Sequence, residues 1–468
     1  MDENTLYKIA ELLRGKLKSS DYADYILALV CYQSLCLLDD MHRDTPDQMF
    51  FNIPIILNVR SIIDAFKRDP DYDTIDALQQ AFAYIQDKLR QYDDDYASIF
   101  DSCVMDHASL GATRMQRNRT IEPILIHLNS AVHSQSMSNL GDIYEFFINH
   151  FAQINRGFGE FYTPKEIAEL QVELLLDDSV QSVYDPTCGS GGLLLQAIKK
   201  NDKLKVYGQE LNKSTFNLSI MNLMMHGLHP SQMSIKHGDV LDNPMHIGTS
   251  FDLIVANPPF SVSWNADKHK DELRFPILAP KGKADFAFVQ HISWYLNDYG
   301  KASIILPHGV LFRGGNEGKI RQWFIDNNLI DCLISLPPNT FYSTSIPTCM
   351  MILRRGREID APILFVEAKT ECVKDGKFNR IIKDRILDVY AHKKEIPGFS
   401  KLVEKSEIVQ NEYNLNFPRF ISTFEEEEQI DLEKVILETN ATTQSIKHLT
   451  SKINEHFKAM GLKVFLEI

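Results

Sequence analysis

The chain has no apolar run near the ~18 residues that a membrane-crossing helix needs. Its first residues, Met1-Asp2-Glu3-Asn4, lack the basic start and apolar stretch of a secretory leader. Cysteine is sparse. The seven present (Cys31, Cys36, Cys103, Cys188, Cys332, Cys349, Cys372) are odd in number, scattered and never spaced as C-x-x-C. That argues against a zinc site or disulfide framework and points to a reducing cytoplasm. Positive charge is also in deficit, with a formal net charge of −14. Work on nucleic acid would therefore need a local basic patch or a partner that supplies phosphate contacts. What is present is ordinary for a globular protein: 44% hydrophobic and 24% charged residues over 468 positions. At ~150 residues per domain this leaves room for about three domains.

Residues 1–152 read as helical. Leu6, Ile9, Leu12 and Leu13 recur at helical spacing, as do Tyr25, Leu27, Leu29 and Tyr32 with their neighbours. Segments 62–66 and 75–89 continue the pattern across Asp69-Pro70. Asp93-Asp94-Asp95 lacks the alternating ligands and glycine of a calcium loop and is expected to be a solvated turn. The region has no catalytic constellation and reads as an accessory domain.

A helix is expected at 140–150, then a loop at 155–159. Glu160-Phe161-Tyr162-Thr163-Pro164 leads into a helix at 165–176, with Thr163 as N-cap and Pro164 at the first helical position. A helix start explains Thr163 and Pro164; it does not require Phe161 and Tyr162, which could flank a ligand. Next, 182–184 is a short strand feeding Asp185-Pro186-Thr187-Cys188-Gly189-Ser190-Gly191-Gly192 and a helix at 193–199. Strand, glycine-rich turn and helix form the nucleotide-cofactor crevice of doubly wound folds. This turn is not the dinucleotide G-x-G-x-x-G, and its leading Asp185 suits a cofactor with a positive end, an amino group or a sulfonium. By itself it is equally well explained as chain geometry. Strand 205–210 then ends in Glu210, at the position that holds ribose hydroxyls in this fold class, and strand 234–239 ends in Gly238-Asp239. A fourth strand, 251–256, delivers Asn257-Pro258-Pro259-Phe260. All four ends fall on the carboxyl edge of one parallel sheet, where ligands bind.

Two adjacent prolines stiffen the last turn and remove two backbone donors, leaving carbonyls free to accept. Asn257 adds an amide and Phe260 an aromatic face. Such a turn accepts hydrogen bonds from a planar amine and stacks the ring that bears it.

Beyond it, 261–280 is polar and aperiodic and is expected to be a mobile substrate loop, with Lys268, Lys270, Lys281 and Lys283 as a modest basic stretch. A helix from 284 to about 295, strand 302–306, helix 315–328 and strand 330–336 continue the alternation, and Pro337 to Arg354 reads as a final antiparallel hairpin. Gly314-Gly315-Asn316-Glu317-Gly318-Lys319 imitates a P-loop, but Ile320 stands where Ser or Thr belongs. Cys188 has no evident base partner and reads as a small packed residue. Asp360, Glu367 and Lys369 imitate a metal-nuclease strand, which is more simply a solvated edge. After the acidic run 425–428, an amphipathic helix is expected at 430–460, with Ile446, Leu449, Ile453 and Phe457 on one stripe that packs on its own domain or on a partner helix.

The series Glu160 to Pro164, Asp185 to Gly192 and Asn257 to Phe260 resembles the methyltransferase (M) subunits of type I restriction-modification systems. The resemblance implies an S-adenosylmethionine-dependent DNA adenine N6-methyltransferase of α/β class. Its Rossmann-like, mostly parallel, doubly wound sheet (153–423) would follow a helical N-terminal domain (1–152) and precede a C-terminal helical tail (424–468) that contacts a partner. Carried onto this sequence, Glu160, Phe161, Tyr162, Thr163 and Pro164 would border the methionine part of the cofactor. Asp185, Thr187, Gly189, Ser190, Gly191 and Gly192 would surround its amino-acid end. Glu210 would hold the ribose, and Asp239 with Val240 would face its adenine. Asn257, Pro258, Pro259 and Phe260 would be catalytic on a base flipped from double-stranded DNA, with Phe341 as a second stacking face, and no metal is required. The family reads its target through a separate specificity (S) subunit, commonly two M per S, with a motor-nuclease (R) subunit for restriction.

Rival readings remain at this point. Cytosine N4 methylation shares the amine chemistry, but such enzymes more often resemble Ser-Pro-Pro-Tyr at the site. Cytosine C5 methylation needs a Pro-Cys nucleophile that is missing where it should lie. Protein-glutamine methyltransferases share Asn-Pro-Pro but lack the 160–164 element. A solitary amino-methyltransferase and a scaffold that has lost turnover are the further alternatives.

Overall fold

Period-2 burial organises the middle of the chain. Val183, Leu253 and Val255 enter one apolar cluster, while Tyr184, Ile254 and Ala256 enter another. Strands that are apolar on both faces need cover on both, and helices supply it. The computed structural model describes residues 12, 16, 22–43, 51–133, 140–154, 162–342, 344–422 and 432–463. The chain divides into two compact units, 1–421 and 422–468.

In the first unit, helices α1 (Tyr22–Met41), α2 (Val59–Arg68), α3 (Thr74–Arg90), α4 (Arg114–His133) and α5 (Leu140–Ile154) precede α6 (Lys165–Glu173). Asn58 and Asp73 cap α2 and α3 by accepting from Arg60 N and Asp76 N. Then come β1 (Ser182–Asp185), α7 (Gly192–Lys200), β2 (Lys205–Glu210), α8 (Lys213–Met225), β3 (Met233–His237), β4 (Phe251–Ala256), α9 (Asp285–Tyr295) and β5 (Leu296–Pro307). They are followed by α10 (Gly315–Asp326), β6 (Ile330–Ser335), β7 (Thr348–Arg354) and β8 (Ile363–Glu367), the small β9–β10 hairpin (Cys372–Asp375, Phe378–Ile381), α11 (Asp384–His392), β11 (Ser400–Val403) and α12 (Lys405–Gln410). The main sheet runs β11-β8-β6-β7-β5-β4-β1-β2-β3. Strands β5, β4, β1, β2 and β3 pair in parallel, and β7 enters antiparallel between β5 and β6. This is the expected α/β architecture, with a mostly parallel sheet behind a helical N-terminal region.

That helical region is fastened to strand β3 and helix α8 by polar contacts as well as by the shared core. Tyr96 Oη accepts from Ile235 N at 2.9 Å, and Asn217 Nδ2 donates to Ser98 O at 2.7 Å. The second unit contains α13 (Leu432–Ala459), where Ile446, Leu449 and Ile453 are 48, 56 and 39% exposed. Among the described residues, no helix is long and apolar enough to cross a membrane.

Several expectations are corrected. Segment 261–280 is exposed at about half of its residues but anchored at others: Ala266, His269, Arg274 and Phe275 are buried, and Trp264 stacks on His269. Arg274 donates to the Val240 and Leu241 carbonyls at 3.1 and 2.6 Å. A few large side chains anchor an irregular segment that has no periodicity to read. Strand β8 is no solvated edge. It lies between β6 and β11, all five residues are buried, and the Glu367 carboxylate accepts from Ser335 and Lys369. Nor is the β6–β7 hairpin final, because β8 and β11 extend the sheet beyond it. Asp93 caps a short 3₁₀ turn and pairs with Lys236 instead of facing only solvent. Finally, α6 begins at Lys165 with Pro164 in the N-cap position, whose ring offers no side-chain acceptor, while the Thr163 hydroxyl accepts from Asn257.

Candidate active site

The four strand ends meet at one cavity of about 670 Å³. Beyond β1, Gly189 and Gly191 take φ of +54° and +78°, left-handed values that glycine adopts without a Cβ penalty. Gly191 caps α7, whose first residue, Gly192, lines the cavity beside Thr187, Gly189 and Ser190. Cys188 lines it too, with a thiol that burial pushes up, as suits a packed residue more than a nucleophile.

Asp185 sits at the floor, 1% exposed. Its Oδ1 accepts from Thr187 N at 3.0 Å, while Oδ2 is buried without a hydrogen-bond partner. Burial, helped by the nearby Glu210 carboxylate, pushes its pKa up to about 8. A buried carboxylate oxygen left unpaired is costly and invites a cation. Glu210, at the end of β2, accepts from Gly189 N at 3.0 Å and Asn212 N at 2.7 Å, and burial raises its pKa as well. Asp239 is exposed and braces its own turn by accepting from Leu241 N at 2.9 Å, and Val240 beside it is buried in the wall.

From the other side β4 brings Asn257 and Pro259 to the cavity, with Pro258 buried beneath them. Asn257 Nδ2 donates to Thr163 Oγ1 at 3.0 Å, which leaves Oδ1 for an incoming donor. Phe260 is half-buried and meets Phe341 edge-on, with ring centres 6.1 Å apart. The 162–164 segment alternates. Thr163 lines this cavity, whereas Tyr162 and Pro164 line a neighbouring groove in which Tyr162 stacks on Tyr342 at 5.7 Å. The expectations for Glu160 and Phe161 lie outside the described residues.

Three positions that sequence reasoning did not single out also shape the site. Gln171, fully buried on α6, donates to the carbonyls of Ala256 and Ser303 at 3.2 and 2.9 Å. Its signal was a polar residue among the buried Ile167, Ala168, Leu170 and Val172. Trp264 and Phe288 add aromatic walls to the cavity. Among the described residues, Asp142, Glu145 and His226 stand at metal-holding spacing, but they lie outside this cavity and Lys199 already pairs with Glu145 at 2.8 Å.

A buried carboxylate with an unpaired oxygen, an acid over a glycine turn and an amide beside a proline turn share this crevice, and the chain that carries them has known relatives. The N-6 DNA Methylase family model matches residues 135–429. The chain is 30% identical to the type I restriction enzyme MpnII methylase subunit of Mycoplasma pneumoniae, over 97% of this chain and 95% of that one. It is 34% identical to the MjaVII methylase subunit of Methanocaldococcus jannaschii, over 67% of this chain and 58% of that one. The crystal structure of a type I restriction-modification system methyltransferase subunit from Streptococcus thermophilus superposes with a TM-score of 0.79 at 32% identity, covering 90% of this chain and 98% of that one. With a family match over more than half of its length and a relative aligned almost end to end, the chain belongs to the N-6 DNA methylase family.

Proposed function

We propose that the cavity between Asp185 and Asn257 is where this type I restriction-modification methylase subunit transfers a methyl group to the N6 amine of a flipped-out adenine. The observation that carries this reading is one crevice holding both an unpaired buried carboxylate oxygen, on Asp185, and an oriented amide, on Asn257.

S-adenosylmethionine, the methyl donor of the family, supplies an activated methyl group on a cationic sulfur. Asp185 Oδ2 fits its cationic amino group, Glu210 has lone pairs left for ribose hydroxyls, and Val240 next to Asp239 offers an apolar surface for its adenine. The amine of the target adenine is a poor nucleophile because its lone pair is delocalised into the ring. Asn257 Oδ1 and the Pro258 carbonyl would accept its two N–H bonds, draw the nitrogen towards tetrahedral geometry and free that lone pair to bond the methyl as the donor's S–CH3 bond breaks to a neutral thioether. One N–H proton is then lost to solvent. Positioning and fixed dipoles do this work without a covalent enzyme intermediate. Phe260 stacks on the flipped base, with Phe341 braced edge-on behind it.

Target choice belongs to a separate specificity subunit in this reading. The net charge of −14 leaves much of the DNA contact to a partner. The exposed Ile446, Leu449 and Ile453 on α13 suit helix-on-helix docking with that subunit, two methylase chains to one, and a motor-nuclease subunit would join for restriction. The test is transfer of labelled methyl groups to unmodified DNA by the chain alone and with its specificity subunit, followed by identification of the base. Methylated adenine in the paired sample only is expected. Methylcytosine would overturn the adenine reading, and transfer by the chain alone would make it a solitary methyltransferase.

A further inference from the structure

The turn that presents Asn257 continues into Ser261, whose φ of +52° lies in the left-handed region that side-chain-bearing residues avoid. One carboxylate meets both donors of this residue. The Ser261 amide donates to Asp285 Oδ1 at 2.7 Å, and its hydroxyl donates to Oδ2 at 3.2 Å. Asp285 opens α9 and is 1% exposed, so it grips the exposed Ser261 from a buried, fixed position. Its Oδ2 also accepts from Arg313 Nη2 at 3.2 Å, and Arg313 Nη1 faces Glu317 at 3.4 Å. Next to this pair, Ala284 N donates to Val262 O at 2.8 Å and closes the neck of the 261–284 segment. Neither Asp285 nor Arg313 lines the cofactor cavity.

We propose that Asp285 is a positioning residue for methyl transfer: it holds Ser261 in its left-handed conformation and so fixes the aim of the Pro258 carbonyl and the Asn257 amide, while Arg313 fixes Asp285 in turn. The chemistry requires a carboxylate. Three donors converge on the side chain, two of them on Oδ2, and only an ionised acid accepts on both oxygens. An asparagine would present one acceptor and turn N–H bonds towards the serine hydroxyl or the guanidinium. The inference deepens the reading above and rests on it.

The test uses the full chain with its specificity subunit. It measures kcat and KM for methyl transfer to DNA, cofactor affinity by calorimetry, and the melting temperature. Asp285→Ala is expected to lower kcat by about 10²-fold, the cost of a misplaced reacting group, with cofactor affinity unchanged. Adding Ser261→Gly to that variant is expected to restore about tenfold of the loss, because glycine takes the left-handed conformation without being held there. A purely structural role for Asp285 would not respond to that second change. Wild-type kcat in Asp285→Ala overturns the inference. So does a joint fall of kcat, cofactor affinity and melting temperature that Ser261→Gly leaves untouched. A wild-type complex that methylates no adenine overturns the reaction itself, and the inference with it, a failure recognisable before any variant is made.

Discussion

The Asn257 side chain donates through Nδ2 to the hydroxyl of Thr163 at 3.0 Å, a hydrogen bond between residues 94 positions apart. It ties the fourth strand end to the segment before α6 and decides which end of the amide faces the cavity. The segment before α6 and the proposed amine site are therefore tied together.

Thr163→Val keeps the volume and removes the acceptor. Losing a hydrogen bond of ~1 kcal/mol leaves the amide free to turn over. We expect kcat to fall by about tenfold, with cofactor affinity near that of the wild type. Steady-state kinetics with parallel calorimetry check it, and an unchanged kcat would show that the amide is oriented by other means.

On the proposed reading, Asn257→Ala removes an acceptor that the target amine uses and the cofactor does not. Methyl transfer should drop by about 10²- to 10³-fold, as when a single preorganised polar group is lost from other active sites. Cofactor binding should persist, and its loss would sink this division of roles.

The Asp185 carboxyl, pushed up to about 8 chiefly by burial, sets a pH dependence whose sign follows directly. Below that value it is mostly neutral, and a cationic ligand favours the ionised form. Cofactor affinity should therefore rise as pH climbs towards about 8, with a proton released on binding in that range. In the free protein the folded pKa lies above the ordinary 3.8, so the native state holds the extra proton between the two values, and this group's contribution to stability falls as pH rises through that window. Calorimetry in buffers of different ionisation enthalpy, and thermal melts of wild type against Asp185→Asn, read both effects. Superimposable pH profiles for the two proteins would remove Asp185 from the account.

Gln171→Leu strips one side-chain donor from two buried carbonyls, Ala256 and Ser303. The expected cost is ~1–3 kcal/mol of stability, seen as a lower melting temperature. Because Ala256 precedes Asn257, kcat should fall as well, and a variant as stable and active as the wild type would make Gln171 mere filling.

The legible parts of this molecule were those whose information is local. Strands β2 and β4 fall at 205–210 and 251–256 as expected, the latter from its apolar run, and the ends bearing Asp185, Glu210, Asp239 and Asn257 meet at one cavity. The bonds that aim those groups were not legible. Thr163, Gln171 and Asp285 reach partners 94, 85 and 24 positions away, and no periodicity marks such a pair. Strand β8 was misread for a related reason: β11, which covers it through the pairing of Ser400 with Val366, arrives only after a hairpin and a helix. Segment 261–280 shows the converse. Its composition is polar, yet Arg274 satisfies two carbonyls in the interior and anchors the segment there.

The pairing of Tyr184 with Ile254 makes β1 and β4 immediate neighbours in the sheet. On the proposed reading the loop after β1 holds the donor and the loop after β4 the acceptor, and the strands that feed them run side by side at about 4.8 Å, the spacing of hydrogen-bonded backbones. That gauge is built from peptide groups that every residue shares, so point substitutions cannot reset it. Side-chain changes in the two loops can alter aim, while the strand spacing beneath them stays constant.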